Sequence, residues 1–334
     1  MGIRVLKGGM MTTVQDLGRT GYQSQGFSVS GVMDVRSFKI ANLLLDNPEN
    51  EAVLEFTLIG PTLEFTSETI ISITGGDFRP QINGKPAKMY TAIYMHRGDI
   101  LTFGGARTGT RGYIAFSSYL DVPVVMGSRS TNIKCQIGGY KGRKLEDEDY
   151  IAFRAKRRYL PYYLSRSLDL DEFDQEKITI KSCHGTSGKD VYERGPRNIL
   201  NSEYTVTSEF DRMGCRLEGP FIAYKTTSDI ISDGIAFGSV QVPSHGKPII
   251  LLADRQTTGG YAKIATVVSV DIPKLVQRKT EQKVRFQAVS VEEAQKLLAD
   301  EMKELNDFRS QIYTPCKEVL DCRLVAKRIS TLFK

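Results

Sequence analysis

Short β-branched runs alternating with glycine-bearing breaks constrain this chain more than any other feature. Glu51-Ala-Val-Leu-Glu-Phe-Thr-Leu58, Thr69-Ile-Ile-Ser-Ile-Thr74 and Asp99-Ile-Leu-Thr-Phe103 are too short for stable helices and are bounded by turn residues. The first 160 residues therefore predict a β-rich unit. One segment breaks the pattern. Between Asp34 and Asp46, Val35, Phe38, Ala41 and Leu45 recur about one helical turn apart, and Asn47-Pro48 follows, which predicts a helix packed on the sheet.

Strand-like runs resume at Lys177-Ile-Thr-Ile180, Tyr204-Thr-Val-Thr207, Pro248-Ile-Ile-Leu-Leu-Ala-Asp254 and Ala265-Thr-Val-Val-Ser-Val270, so the second half is β-rich too. Between the halves, Lys144 to Leu170 is charged and holds Pro161-Tyr-Tyr163, which places the domain boundary there, and its basic run Arg154-Ala-Lys-Arg-Arg158 reads as a solvated connector. A nucleic-acid contact is the alternative for that basic run. The expected organisation is a domain over 1–160, a second over 161–290, and a C-terminal helix with a basic tail over 291–334. Ser290-Val-Glu-Glu293 is a capping box, and Val291, Ala294, Leu298, Met302, Leu305 and Phe308 form an apolar stripe at helical spacing. The stripe lacks coiled-coil length and is expected to dock on its own domain rather than on a partner. Gly84-Lys85-Pro86 and Gly246-Lys247-Pro248 each precede an apolar run, a faint hint of duplication.

With 334 residues, 40% of them hydrophobic and 25% charged, the chain has material for two ordinary globular cores. No uncharged apolar run approaches the ~18 to 20 residues of a membrane span, and the first residues lack the apolar core of a secretory signal. A cytoplasmic protein without membrane contact is expected. Five cysteines, none in a Cys-x-x-Cys, fit reduced thiols. A net charge of +6 suits an anionic small substrate or acidic partner, but 39 acidic residues interleave with the basic ones, so no nucleic-acid surface is implied.

Several chemistries have no motif here. The three histidines, His96, His184 and His245, form no zinc pair, and no metal site is expected. A Gly-x-Ser-x-Gly elbow is missing, Gly185 to Asp190 does not match a Walker loop, and a dinucleotide fingerprint is absent. Lys88 lacks the preceding methionine of a biotinylated lysine, so no covalent biotin is expected.

Three stretches have the polar, glycine-rich make-up of rigid pockets: Thr12 to Gln23 continuing through Ser28 to Asp34, Asp211 to Pro220, and Gly238 to Tyr261. Their motifs, TTVQDLGRTGYQ with SGVMD, GSRST at 127–131, DRMGCRLEGP and QVPSHGKPIILLADRQTTGGY, occur in consistent order from about residue 3 to residue 290. In them the chain resembles the allophanate-hydrolase-subunit-2 family, also called biotin-dependent carboxyltransferase-like or sporulation-kinase-inhibitor-antagonist proteins. The resemblance implies a mostly β fold of two tandem cyclophilin-like β-barrel domains. It also implies the C-type component of an ATP-dependent 5-oxoprolinase, inactive alone and working with a B-type component, like allophanate hydrolase subunit 1, and an A-type component. ATP is used by the complex, with no site placed on this chain. Two other functions come with the family: a carboxyltransferase moving CO2 from carboxybiotin to urea or a related amide, and a regulator that sequesters an inhibitor of a histidine kinase. Relatives commonly open the second domain with a Gly-Pro-Gln-type turn, whereas this chain has Ile178 to Gly188, which leaves the substrate open.

Lactam and ureido groups react poorly because the nitrogen lone pair is delocalised, so a useful site offers donors at the oxygen and an acceptor for the N–H. Asp254 is the candidate acceptor or base, with Gln256 and Arg212 as its catalytic companions. Thr257 and Thr258 supply donors, and Gly259 and Gly260 admit close backbone approach. Turn-capping by Asp254 is the plain alternative. Arg212 and Arg216 suit a carboxylate or phosphate, or else a salt bridge to Asp211 or Glu218. Gln241 matches an amide ligand, and Gln15, Asp16 and Arg19 are candidate site or interface residues, although Asp16 also fits a turn before Gly18. Thr74-Gly75-Gly76-Asp77, at the end of a strand, is a further candidate. His184 and His245 read as surface histidines in glycine-rich loops.

Overall fold

A computed structural model describes residues 1–156, 159–185, 202–224 and 229–314. Among these, the chain is mostly β with three α-helices. The first half builds two antiparallel sheets. One joins, in spatial order, β11 (Tyr150–Ala152), β1 (Gly2–Lys7), β4 (Thr62–Phe65), β9 (Ile100–Thr102), β6 (Gln81–Ile82) and β7 (Lys85–Pro86). The other joins β2 (Met11–Gln15), β3 (Val53–Thr57), β10 (Arg111–Phe116), β5 (Thr69–Gly75) and β8 (Ala92–Met95).

Two-residue alternation decides what each face covers. On β10, Ile114 and Phe116 join Ile3, Val5, Leu54, Phe56 and Phe65 in the main core, while Tyr113 and Ala115 face the other way. There they meet Phe38 and Ala41 of helix α1 (Val35–Leu44), which lies on the sheet as expected. Asp34 caps α1 by accepting from the Ser37 N–H at 2.9 Å. Each aromatic ring so buried contributes about 1.5–3 kcal/mol.

The second half is a closed barrel of β12 (Lys177–His184), β19 (Lys263–Val267), β16 (Ser239–Gln241), β17 (Ile249–Leu251), β14 (Gly214–Glu218), β13 (Glu203–Phe210) and β20 (Lys283–Ala288), in that order. It is sealed where β20 runs parallel to β12. Inward residues of successive strands, among them Ile180, Cys215, Val240, Ile250, Ile264 and Val284, fill the interior. The short helix α2 (Ile272–Val276) adds Ile272, Leu275 and Val276 to the same core. A separate ribbon pairs β15 (Asp229–Gly234) with β18 (Thr258–Tyr261).

Three details depart from the sequence reading. The run from Pro248 forms only the short strand β17; at Leu252 the backbone turns to bond Met213, so Asp254 sits in a turn. His184 ends β12 rather than lying in a loop. Helix α3 (Val291–Ile312) has the capping box, but its stripe is covered unevenly: Leu305 and Phe308 pack with Ile312 against Ile40 and Leu44 of the first half and Ala294 is half-buried, whereas Val291, Leu298 and Met302 are exposed. Arg157, Arg158, Thr186 to Asp190 and the tail from Pro315 lie outside the described residues. Among the described residues, no helix is long and apolar enough to cross a membrane.

Candidate functional site

The residues singled out from sequence fall into three places. Gln15, Asp16 and Arg19 lie inside the first half against the Ser128-Arg129-Ser130-Thr131 turn. Asp16 accepts from the Gly18 N–H at 2.8 Å, from the Ser128 and Ser130 hydroxyls at 2.6 Å each, and from the Arg129 N–H at 2.6 Å. Four donors saturate its carboxylate and tie two loops together. Gln15 donates to Thr13 and to the Thr131 carbonyl. Arg19 is fully buried and donates to the Ser130 carbonyl at 2.6 Å; burial lowers its pKa, opposed by Asp16.

Arg212 and Asp254 form the second group, at the joint between the halves. The Arg212 Nε donates to Asp254 at 2.8 Å and a terminal nitrogen approaches its other oxygen at 3.3 Å. The remaining donors reach the first half, at Glu55 and the Gly31 carbonyl. Glu55 in turn accepts from the Met33 N–H and the Tyr113 hydroxyl, both at 2.8 Å, and Tyr113 accepts from the Asp34 N–H. Asp34 also accepts from Gln277 of the second half at 2.8 Å. The Gln277 oxygen takes the Thr110 and Arg111 N–H groups. A continuous buried seam therefore runs Asp254, Arg212, Glu55, Tyr113, Asp34, Gln277. Burial raises the pKa of Asp34, against hydrogen bonds from Gln277 and Ser37. At Arg212 burial is outweighed by the Asp254 and Glu55 carboxylates, which raise its pKa.

The third place is an open cleft of about 530 Å³ on the outer face of the barrel wall. Its floor comes from strand positions that alternate with core residues: Gly214 and Arg216 of β14, Ile249 and Leu251 of β17, and Gln241 of β16. Phe210, Met213, Ile235, Arg255 and Gln256 complete much of the rim. Arg216, Gln241 and Gln256 are thus brought together. Arg216 pairs with Glu209 at 2.8 Å rather than with Asp211 or Glu218. Asp211 instead accepts the Met213 and Gly214 N–H groups, and Glu218 pairs with Lys247.

Gln241 is the most informative member. It is 6% exposed, and its Nε2 has no hydrogen-bond acceptor among the described residues. A buried donor left in that state costs about 1–3 kcal/mol, which a bound acceptor would recover. Gly259 is its neighbour: a Cβ there would lie 2.9 Å from that nitrogen. Thr257 accepts from the Ile235 N–H through its carbonyl, and Thr258 and Gly260 belong to the β18 ribbon.

Sequence reasoning missed Arg255. Its guanidinium is buried, donates to the Ile235 and Leu252 carbonyls, and lies over the Phe237 ring at 5.6 Å. Burial lowers its pKa. Glu55 and Gln277 were missed as well, since each is an ordinary polar residue in a run that gives no local sign of its distant partner. Thr74 to Asp77 ends β5; Gly75 and Asp77 line a separate cleft of about 580 Å³ together with Lys88. His184 and His245 are exposed.

The family model described as carboxyltransferase domain, subdomain A and B, matches residues 25–288. The chain is 33% identical to the C component of the 5-oxoprolinase of Escherichia coli strain K12, over 90% of this chain and 96% of that protein. It is 30% identical to a putative urea carboxylase of Emericella nidulans, covering 99% of this chain but 27% of the relative. The crystal structure of the K. lactis urea amidolyase superposes with a TM-score of 0.85 at 28% identity, over 92% of this chain and 20% of that one.

Proposed function

The chain belongs to the carboxyltransferase domain, subdomain A and B, family, and from that membership we propose that it is the C-type component of an ATP-dependent 5-oxoprolinase, its barrel-wall cleft holding the lactam. The carrying observation is Gln241: a buried amide donor without an acceptor among the described residues, at the floor of an open cleft beside a glycine. A lactam carbonyl supplies the missing acceptor. Apolar walls from Ile235, Ile249, Leu251 and Phe210 suit the ring methylenes, while Arg255 and Gln256 line the polar rim. Near-complete coverage of a 5-oxoprolinase C component supports the same reading.

In this reaction, 5-oxoproline, ATP and water give glutamate, ADP and phosphate, and ATP enters as co-substrate of the assembled complex. Donors at the lactam oxygen favour the charge that develops there when the carbonyl is activated. Arg212 and Asp254 hold the turn from which Arg255 and Gln256 enter the cleft, so we assign them a positioning role. Partners of the A and B types supply what this chain lacks, and it is inactive alone. Gln15, Asp16 and Arg19 support the loops next to the joint, with the Ser30 N–H bonded to the Ala253 carbonyl and the Ser28 hydroxyl to that of Arg255.

A second reading, carboxyl transfer to urea or a similar amide, is favoured by the superposition on urea amidolyase. The same cleft would then bind a neutral ureido group. Reconstitution with the two partner types separates the readings: ATP-dependent release of glutamate from 5-oxoproline supports the first, and carboxylation of urea by a carboxybiotin carrier without any action on 5-oxoproline supports the second.

A further inference from the structure

Beyond Gln241, the same outer face carries a second buried donor that neither the sequence motifs nor the cleft lining brings out. Strand β19 lies beside β16, and Gln241 is the cross-strand partner of Lys263. Val240, Val242, Ala262 and Ile264 point into the barrel core, so Gln241 and Lys263 share the opposite face. Directly opposed side chains of this kind have Cβ atoms about 4.5–5.5 Å apart. Lys263 is 5% exposed, and its Nζ has no hydrogen-bond acceptor among the described residues. Its ion-pair partner is Asp233 on β15, at a long 3.6 Å, and that side chain is 62% exposed to water. The β15–β18 ribbon covers this face, with Gly259 against Gln241 and Asp233 against Lys263.

We propose that Lys263, beside the Gln241 amide that takes the lactam oxygen, forms a carboxylate-binding subsite, so that an amide or lactam bearing a carboxylate is preferred over a neutral amide. The inference rests on the lactam reading above and deepens it by assigning the residue that recognises the substrate's carboxylate. A buried ammonium whose counter-charge among the described residues is distant and hydrated is the complement of an anionic oxygen pair. A neutral ligand such as urea offers one weakly basic oxygen and leaves the ammonium uncompensated, which costs free energy in a buried position. Asp233 would then act as a surface counter-ion that the bound carboxylate replaces or supplements.

The test compares two ligands that differ by the carboxylate, 5-oxoproline and 2-pyrrolidinone. Binding to the full chain is followed by ligand-observed NMR, and turnover is followed with the reconstituted complex. Wild-type protein is expected to bind 5-oxoproline the more tightly. Lys263→Met is expected to weaken 5-oxoproline about thirtyfold in Kd and KM while leaving 2-pyrrolidinone within about twofold. Lys263→Arg should restore most of the preference, and it stands in if the methionine variant fails to fold, in which case it must keep a preference for 5-oxoproline. Equal binding of the two ligands by wild type, or an unchanged preference in Lys263→Met, would overturn the subsite. Preferential binding of 5-oxoproline that is lost in Lys263→Met, with no turnover by the wild-type complex, would uphold the subsite and remove the oxoprolinase reading instead.

Discussion

Arg212, in the second half of the chain, donates to Glu55 on β3 of the first half and to Asp254 in its own half, so one guanidinium bridges two carboxylates across the joint. Their side chains are 12%, 3% and 13% exposed. Removing the cation leaves two mostly buried anions facing each other, whereas removing one carboxylate leaves the cation still paired.

Arg212→Met is therefore expected to destabilise the fold by about 3–5 kcal/mol in denaturant unfolding. Asp254→Asn should cost about 1 kcal/mol or less and lower turnover of the complex by less than about tenfold, with an unchanged pH profile, because Glu55 still holds Arg212. A loss of about a hundredfold or more with a shifted profile would return Asp254 to the general-base role that its place in the sequence suggests.

Asp34 gives the seam a pH dependence. Its folded pKa is raised, chiefly by burial, so over the range from the ordinary carboxylate value of about 3.9 up to the folded value the native state binds more protons than the unfolded chain. Stability from this group is fully present below the unfolded pKa and is lost as pH rises through the folded one. Subtracting the stability–pH curve of Asp34→Asn from that of wild type should leave a component that falls with rising pH; a rising component contradicts the assignment.

Thiol reactivity should divide along burial. Cys135 is exposed, whereas Cys215 sits in the barrel core, where burial pushes its pKa up to about 12. Mass mapping after brief alkylation of the native protein should find Cys135 modified and Cys215 intact, with Cys215 reacting only after unfolding. Rapid native labelling of Cys215 would contradict the barrel packing.

At Gly259 a methyl group would meet Gln241 Nε2 at 2.9 Å and Ile235 Cδ1 at 2.8 Å. Gly259→Ala should raise KM of the complex about tenfold by displacing the Gln241 amide, and the melting temperature should move by only a few degrees, since the ribbon lies outside the barrel. An unchanged KM would show that the amide is not in the binding position.

Local pattern made much of the architecture legible. Short β-branched runs between glycine-bearing breaks marked the strands, apolar spacing marked α1, and the Ser290 capping box marked α3, because these signals lie within a few residues of the elements they define. Gln241, Arg216 and Gln256 were found because the glycine-rich segments that carry them border one cleft. What stayed hidden depends on long-range pairing. Glu55 meets Arg212 across 157 positions and Gln277 meets Asp34 across 243, and nothing near either residue encodes its partner. Asp254 looked like the end of an apolar strand because Leu252 and Ala253 continue the hydrophobic run, yet the ladder stops at Leu251 and the Leu252 N–H bonds to the Met213 carbonyl. The α3 stripe likewise shows its period in sequence, but not that only its later turns reach α1.

That the barrel-wall cleft holds the lactam through Gln241 is tested most directly by steady-state kinetics of Gln241→Leu in the reconstituted three-component complex. The substitution removes the unpaired donor while nearly keeping the side-chain volume, and it replaces a buried amide with an apolar group that the folded chain should tolerate. The expected result is a fall of about a hundredfold in kcat/KM for 5-oxoproline with a melting temperature at or slightly above wild type. Turnover within about threefold of wild type, with the same folded stability, would contradict lactam binding by this amide.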